Sequence, residues 1–388
     1  MSALDVVTFG CRLNVVDSQA LLREARAEAT GDVVIVNTCA VTAEATRQAR
    51  QAIRRLHRER PRAEIVVAGC AARIDPQRFA AMEGVTRVLG EAQDAPVAQS
   101  ASEGQTRAFL AVQNGCDHRC TFCVIPFGRG PARSAPPQDA IAEARRLVAS
   151  GRREIVLTGV DLTSYRYQDV TLGALARAIL RAAPELERLR LSSIDCIEAD
   201  ADLVELMAQE PRLAPHLHLS LQSGDDLVLK RMKRRHSRAE AVRFCEDMRE
   251  ARPDIVFGAD FIAGFPTETE EMFARTLDLV EACGLTHLHV FPFSPRPGTP
   301  AALMPQMDGA IVKERAARLR AAGDAALARH LDAQRGKRLR VLTERGGLAR
   351  AADFTPMRTP GEEPGRMLDM IATDHDGRAL IGAQAGRG

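Results

Sequence analysis

GCDHRCTFC, residues 115–123, sets Cys116, Cys120 and Cys123 in a C-x3-C-x2-C loop directly after the apolar run Phe109–Val112. Three thiols within eight residues can occupy three corners of a cubane iron-sulfur cluster and leave its fourth iron open to a small molecule. A zinc site is the alternative. Structural zinc asks for four protein ligands, and His118, inside the loop, is the one nearby residue able to add the fourth.

Outward from this loop, apolar runs recur at Phe109–Val112, Glu154–Gly159, Leu189–Ile194, His216–Leu221, Val256–Ile262 and Thr286–Phe293. Between them lie segments of helical period such as Gln138–Ser150, Ser237–Ala251 and Glu268–Cys283. Six βα units predict an α/β architecture, a partial (β/α)6 barrel two units short of the eightfold form, with function at the C-terminal ends of its strands. Upstream, VVTFG, VVIVNT and EIVVAG alternate with helices expected near Asp17–Ala29 and Ala43–Arg60. That alternation predicts a small flavodoxin-like domain with a parallel sheet. Cys11, Cys39 and Cys70 each follow one of its strands and so share the edge where open α/β sheets hold ligands. Their spacings of 28 and 31 residues form no motif, and chance burial of three thiols stays open.

The polar stretch Ala95–Gln105 reads as a linker, and the Gly- and Pro-interrupted apolar pairs after Leu331 as a small antiparallel β module. The expected division is 1–104, 105–331 and 332–388.

Over 388 residues, 45% hydrophobic and 27% charged content is that of a multidomain globular protein, which excludes disordered, collagen-like and coiled-coil classes. No window approaches a membrane span, and the start lacks a signal-peptide layout, so a cytoplasmic location is expected. In that compartment nine cysteines argue for metal or iron-sulfur ligation rather than disulfides. Cys196, Cys245 and Cys283 have no partners at ligand spacing and are assigned no chemistry.

Lys+Arg 53 against Asp+Glu 51 leaves a net charge of +2, so any attraction to nucleic acid must come from local clusters. Two exist: Arg47, Arg50, Arg54, Arg55, Arg58, Arg60 and Arg62 on the second helix, and Lys230, Arg231, Lys233, Arg234, Arg235 and Arg238. Either could be a solvated face. Flanking a strand-end site, both would suit the phosphates of a folded RNA.

The C-x3-C-x2-C loop after the first strand of a six-unit barrel resembles the radical S-adenosylmethionine (SAM) superfamily. The set TFGCRLNVVDS, VNTCAVT, VAGCAAR, QNGCDHRCTFCVIPFGRG, TGVDLTSY, LSLQSGDD, ADFIAGFPTET and FSPRPGTPAA is similar to the methylthiotransferase family, from nearly the first residue to about Ala302. The resemblance implies two [4Fe-4S] clusters, an auxiliary one on Cys11, Cys39 and Cys70 and a SAM-binding one on Cys116, Cys120 and Cys123. It implies that one SAM methylates sulfur at the auxiliary site and a second yields the radical that opens a substrate C–H bond. It also implies an electron donor of flavodoxin or ferredoxin type, leaves the sulfur donor unspecified, and likens the C-terminal module loosely to the RNA-binding TRAM domain.

Candidate SAM contacts are Gly159, Ser193, Gln222 and Gly264, all at strand ends, where ordinary turn chemistry is an equal explanation. TGVDLTSY looks most like the branch that modifies N6-threonylcarbamoyladenosine at position 37 of tRNA. The isopentenyladenosine branch more often reads GQNVNSY there, and the branch acting on an aspartate of a ribosomal protein reads closer to QDTT-x-YG. Asp161, Thr163, Ser164 and Tyr165, with Arg166 as the nearest cation, are the expected reading loop, a plain surface turn being the alternative. Two departures from the family pattern, Ala135 for Arg and Ser220 for Pro, bear on specificity. A cluster-bearing RNA-binding or redox protein without turnover is the alternative of another class.

Overall fold

The computed structural model describes residues 4–28, 31–90 and 98–385. Strands β1 (Leu4–Thr8), β2 (Val33–Thr38), β3 (Glu64–Gly69) and β4 (Val85–Val88) form a parallel sheet in chain order. Its strands read as unbroken apolar runs because both faces are covered. Val34, Val36, Ile65 and Val67 pack with Ile53 and Leu56 of the helix Ala43–Glu59. Val33, Ile35 and Val66 pack with Leu21 and Ala25 of the helix Arg12–Glu28. The first of these helices starts at Thr42, whose side chain accepts from the Ala45 N–H, and its apolar residues Ala49, Ala52, Ile53 and Leu56 recur at i, i+3, i+4 and i+7.

Part of the expected linker, residues 95–97, lies outside the described residues, as does Ala29 of the first predicted helix. The remainder of the linker is not a connector. Gln99–Ala101 is a strand, β5, paired antiparallel to β6 (Ala108–Ala111) at the edge of the barrel sheet. Alternation in a three-residue stretch is too short to be seen against its polar surroundings.

From β6 the barrel continues in parallel. A short ribbon joins β7 (Gln113–Asn114) to β8 (Arg133–Ser134), and β9 (Glu154–Thr158) pairs with β6. A second ribbon, β10 (Arg166–Tyr167) with β11 (Val170–Thr171), precedes β12 (Arg188–Leu191) and β13 (Ser193–Ile194). These two occupy a single strand position, broken at the buried Ser192, whose N–H turns to the Leu157 carbonyl. Then follow β14 (His216–Gln222), β15 (Val256–Ala263) and β16 (Leu285–Pro292). The six strand positions are those expected from the apolar runs. One large core lies between this arc and its outer helices. Among the described residues no helix is long and apolar enough to cross a membrane.

Strands β17 (Arg338–Glu344), β18 (Leu348–Ala351), β19 (Pro356–Arg358), β20 (Met367–His375) and β21 (Leu380–Gln384) close into a small barrel. This module seals the floor of the large barrel. Arg188 donates to the Arg340 and Arg350 carbonyls at 3.0 and 3.3 Å. Phe354, on the β18–β19 loop with φ 73°, stacks on His216 at 5.0 Å between the guanidinium groups of Arg107, Arg190 and Arg350.

Candidate functional site: two cysteine loops at one cavity

The C-terminal ends of β1, β2 and β3 carry Cys11, Cys39 and Cys70. Gly10 lets the first two meet. At φ 100° it has no Cβ, and one there would lie 2.6 Å from both Cβ and Sγ of Cys39. Cys39 and Cys70 are buried and Cys11 is exposed. Burial, with the neighbouring Cys11 and Cys70 adding, pushes the Cys39 thiol up to about 11. Burial also raises Cys70, opposed by the Arg129 guanidinium. Such thiols give up their protons when a metal takes them. Three thiols from three strand ends suit an iron-sulfur cluster with one open iron.

The second triad sits in a loop tied to the barrel on both sides. The Thr121 hydroxyl donates to the Arg231 carbonyl at 2.8 Å, and the Ala301 N–H donates to the Thr121 carbonyl at 2.9 Å. Gly115, at φ 74°, turns the chain so closely on Pro131 that a Cβ would lie 1.8 Å from its carbonyl oxygen. Burial, then Asp161 and the two sister thiols, pushes Cys116 up to about 12, and burial brings Cys123 to about 11. The His118 Nε2 lies 2.9 Å from the Asp161 carboxylate and 3.5 Å from that of Glu198, and Cys116, His118 and Asp161 bring their ligand atoms within 4.8 Å of one another.

A cavity of about 210 Å3 lies between the two loops. Val41 and Thr42, just past Cys39, form one wall and Phe122, Cys123, Val124 and Ile125 another. Gln222, Asp260, Ile262 and the segment from Phe291 to Ser294, with Arg296, complete the lining. Below it, one oxygen of Asp260 contacts His218 Nε2 at 2.9 Å and His289 Nδ1 at 3.2 Å, and the histidines hold that buried carboxyl well below the usual range against the opposing effect of burial. Arg296 is the one Lys or Arg in the lining. Its Nε has no hydrogen-bond partner among the described residues, and burial lowers its pKa.

Of the four candidate SAM contacts, Gln222 lines this cavity. Gly159 faces Gln113, whose Oε1 would be 2.8 Å from a Cβ there. Gly264 faces Val312 of the helix Gly309–Asp332, and Ser193 lies on β13 opposite His218. Three hydroxyl-bearing side chains of the expected reading loop bond within the protein, while its Asp161 faces Cys116 at 3.8 Å and His118 at 2.9 Å. Thr163 accepts from the Asp195 N–H, Ser164 donates to the Asp161 carbonyl, and the buried Tyr165 donates to the Ala135 carbonyl at 2.8 Å. Ala135 is itself fully buried against this hydroxyl.

The two basic runs divide in the same way. Arg60 ties β1 to the turn before β2 through Asp5 and Asp32, and Arg47 is paired with Glu44. Arg54, Arg55 and Arg58 remain exposed, in a groove that ends at Phe9 beside the Cys11 loop. In the second run Arg234 is bound to Asp195 and the Ser220 carbonyl, Arg235 to Glu198, and Arg238 to Asp278. Only part of it is available to phosphates.

Sequence reading passed over Gln113, Asn14, Asp17 and Arg129, and counted Arg234 toward a basic surface rather than toward Asp195. Gln113 is fully buried and holds the TGVD turn against the cysteine loop, accepting from the Asp161 N–H at 2.9 Å and donating to the Gly115 carbonyl at 2.8 Å. Its only signal was its place in QNGC.

Comparisons with known proteins follow this geometry. The Radical SAM superfamily profile matches residues 110–280, and the profile described as Uncharacterized protein family UPF0004 matches residues 3–90. A Threonylcarbamoyladenosine tRNA methylthiotransferase MtaB from Rickettsia prowazekii is 43% identical over 91% of this chain and 90% of its own. A tRNA-2-methylthio-N(6)-dimethylallyladenosine synthase from Cereibacter sphaeroides is 34% identical over 99% and 98%. Among solved structures, the radical S-adenosylmethionine methyltransferase TsrM from Kitasatospora setae, with cobalamin and a [4Fe-4S] cluster bound, superposes with TM-score 0.55 at 17% identity, over 78% of this chain and 77% of that one. That likeness concerns the fold alone.

Proposed function

The chain belongs to the radical SAM methylthiotransferase family, and from that premise we propose that it inserts a methylthio group at carbon 2 of N6-threonylcarbamoyladenosine at position 37 of tRNA. Cys116, Cys120 and Cys123 hold the [4Fe-4S] cluster that binds SAM, and Cys11, Cys39 and Cys70 hold a second, in units taken as 105–331 and 1–104. The observation that carries this reading is the meeting of both cysteine loops at one cavity. When bound, the clusters and SAM supply the electron, the sulfur site and the hydrogen-abstracting radical.

The protein's own part is to position and to exclude water. Phe122, Val124, Ile125, Ile262, Phe291 and Phe293 give the cavity apolar walls. A carboxylate entering it meets Arg296, and the threonylcarbamoyl group has one where an isopentenyl group has none. The Arg296 Nη2 donates to Thr46 Oγ1 at 3.4 Å while its Nε has no partner among the described residues, and leaving that buried N–H unpaired beside an apolar substituent costs roughly 1–3 kcal/mol, which favours the carboxylate-bearing nucleoside. An external electron donor and the cytoplasm complete the reading.

The test offers purified tRNAs carrying either nucleoside to the anaerobically loaded protein with SAM, sulfide and a reductant. Digestion and mass spectrometry should find the methylthio-threonylcarbamoyl nucleoside alone. A methylthio-isopentenyl product without it overturns the substrate assignment.

The exposed groove of Arg54, Arg55 and Arg58 carries a second expectation. Arg54→Glu with Arg58→Glu should weaken tRNA binding at least tenfold at low salt and flatten its salt dependence, because each lost phosphate contact removes about one unit of slope. SAM cleavage without tRNA should be unchanged. Wild-type affinity and slope in filter binding would return this face to ordinary surface.

A further inference from the structure

We propose that Arg129 is a positioning residue that sets the reduction potential of the cluster held by Cys11, Cys39 and Cys70, acting from the segment that follows the other cysteine triad. The inference rests on the two-cluster reading given above. Arg129 ends the short helix Ile125–Arg129, six residues beyond Cys123, and is 2% exposed. Its Nε donates to Cys70 Sγ at 3.1 Å. Its Nη2 donates to Asn14 Oδ1 at 2.5 Å and pairs with Asp17 Oδ2 at 2.7 Å, and its Nη1 reaches Asn114 Oδ1 at 3.4 Å.

These partners come from three separate stretches of chain. Asn14 and Asp17 lie one turn apart on the helix that follows Cys11. Asn114 precedes Cys116, and Cys70 closes β3. The approach is close as well as polar: a Cβ on Gly128 would lie 3.1 Å from the Cys70 carbonyl oxygen. A buried guanidinium that needed only a counter-ion would be satisfied by Asp17. The Nε contact is extra, and its acceptor is sulfur.

An N–H donor and a positive charge beside a ligating thiolate withdraw electron density from the cluster and favour its reduced form. Asp17 opposes this from the far side of the guanidinium. Arg234 stands similarly to Cys120, at 3.8 Å and paired with Asp195, but Arg129 is distinct in crossing from one triad's loop to the other's sulfur. The segment that organises SAM cleavage therefore also governs the electronic state of the sulfur-carrying site.

The test uses the full chain carrying Cys116→Ala, Cys120→Ala and Cys123→Ala, so that one cluster of about four irons remains. Its midpoint potential is read by EPR-monitored titration. Arg129→Gln should move the midpoint to more negative values, Arg129→Lys should fall between, and Asp17→Asn should move it the opposite way. Unchanged midpoints and g-values in iron-loaded Arg129→Gln and Asp17→Asn overturn the inference. If Arg129→Gln takes up no iron or loses its circular dichroism, Asp17→Asn decides: a positive shift supports the inference and none overturns it. A parent variant without iron overturns the two-cluster reading and this inference together, whereas iron with immobile potentials overturns this inference alone.

Discussion

Cys116→Ala is expected to reduce the cleavage of SAM to 5'-deoxyadenosine to background and to lower the iron content from about eight to about four per chain. Cys39→Ala should lower iron equally, keep SAM cleavage, and abolish methylthiolation. The division follows from where the two thiols are anchored. Cys116 belongs to a loop fastened to the barrel through Thr121, Met232 and Ala301. Cys39 contacts Gly10 and accepts from the Val41 N–H at 3.4 Å, within the first sheet's own loops. Neither the Cys116 nor the Cys39 sulfur takes part in the hydrogen bonds that fasten the other's loop, and the Arg129 bridge between the two loops uses Cys70 instead. Full methylthiolation by Cys39→Ala would sink the division of labour. Deoxyadenosine formation by Cys116→Ala would sink the assignment of its loop.

The second large effect is on stability. Glu154 is fully buried at the barrel floor, with Oε1 2.8 Å from Arg190 Nε and Oε2 2.9 Å from Arg188 Nη1. Burial alone would raise its pKa, but Arg190, Arg107 and Arg188 outweigh burial and pull it from 4.5 down to about 2. A carboxyl lowered in the folded state stabilises it above the unfolded pKa, and that contribution is lost as pH falls from about 4.5 to about 2. At about 1.4 kcal/mol per pH unit the contribution is of the order of 3 kcal/mol. Glu154→Gln keeps the shape but leaves buried guanidinium groups uncompensated, and should destabilise by about 3–5 kcal/mol at pH 7, read from denaturant midpoints. The deficit relative to wild type should shrink as the pH is taken below 4.5. A loss under about 1 kcal/mol, or one independent of pH, would refute this account.

The strands of both sheets were legible because each is a continuous apolar run bounded by turn residues. VVIVNT is β2 to the residue, and His216–Leu221 is β14 less its last residue. Cys11, Cys39 and Cys70 follow strands as the sequence predicts, and Cys116, Cys120 and Cys123 share one loop as their C-x3-C-x2-C spacing predicts. Partners distant in the chain were not. Arg129 finds Cys70 across 59 residues and Asn14 across 115, and no local pattern encodes either. Charge was visible but its direction was not, so Arg60 and Arg234 were counted toward an RNA surface while ion pairs turn both inward. The hydroxyls of the expected reading loop show the same limit on what charge and polarity reveal, since Thr163, Ser164 and Tyr165 all have partners inside the protein. Hydroxyls at a strand end satisfy their own turn as readily as a ligand. Gln222 alone of the SAM candidates reaches the cavity because Gly and Ser at strand ends also serve tight packing, as Gly264 does against Val312.

The ring of Phe354 that closes the barrel floor belongs to the last tenth of the polypeptide. Synthesis runs from the N-terminus, so every cysteine and the whole cavity lining leave the ribosome before the residue that shuts the opposite end. Until then the C-terminal module's contacts to Arg188, Arg190 and His216 cannot form. A premature stop codon just upstream of Phe354 would delete no residue of the cavity, yet its product would meet cellular quality control as an unfinished barrel rather than as a shortened enzyme.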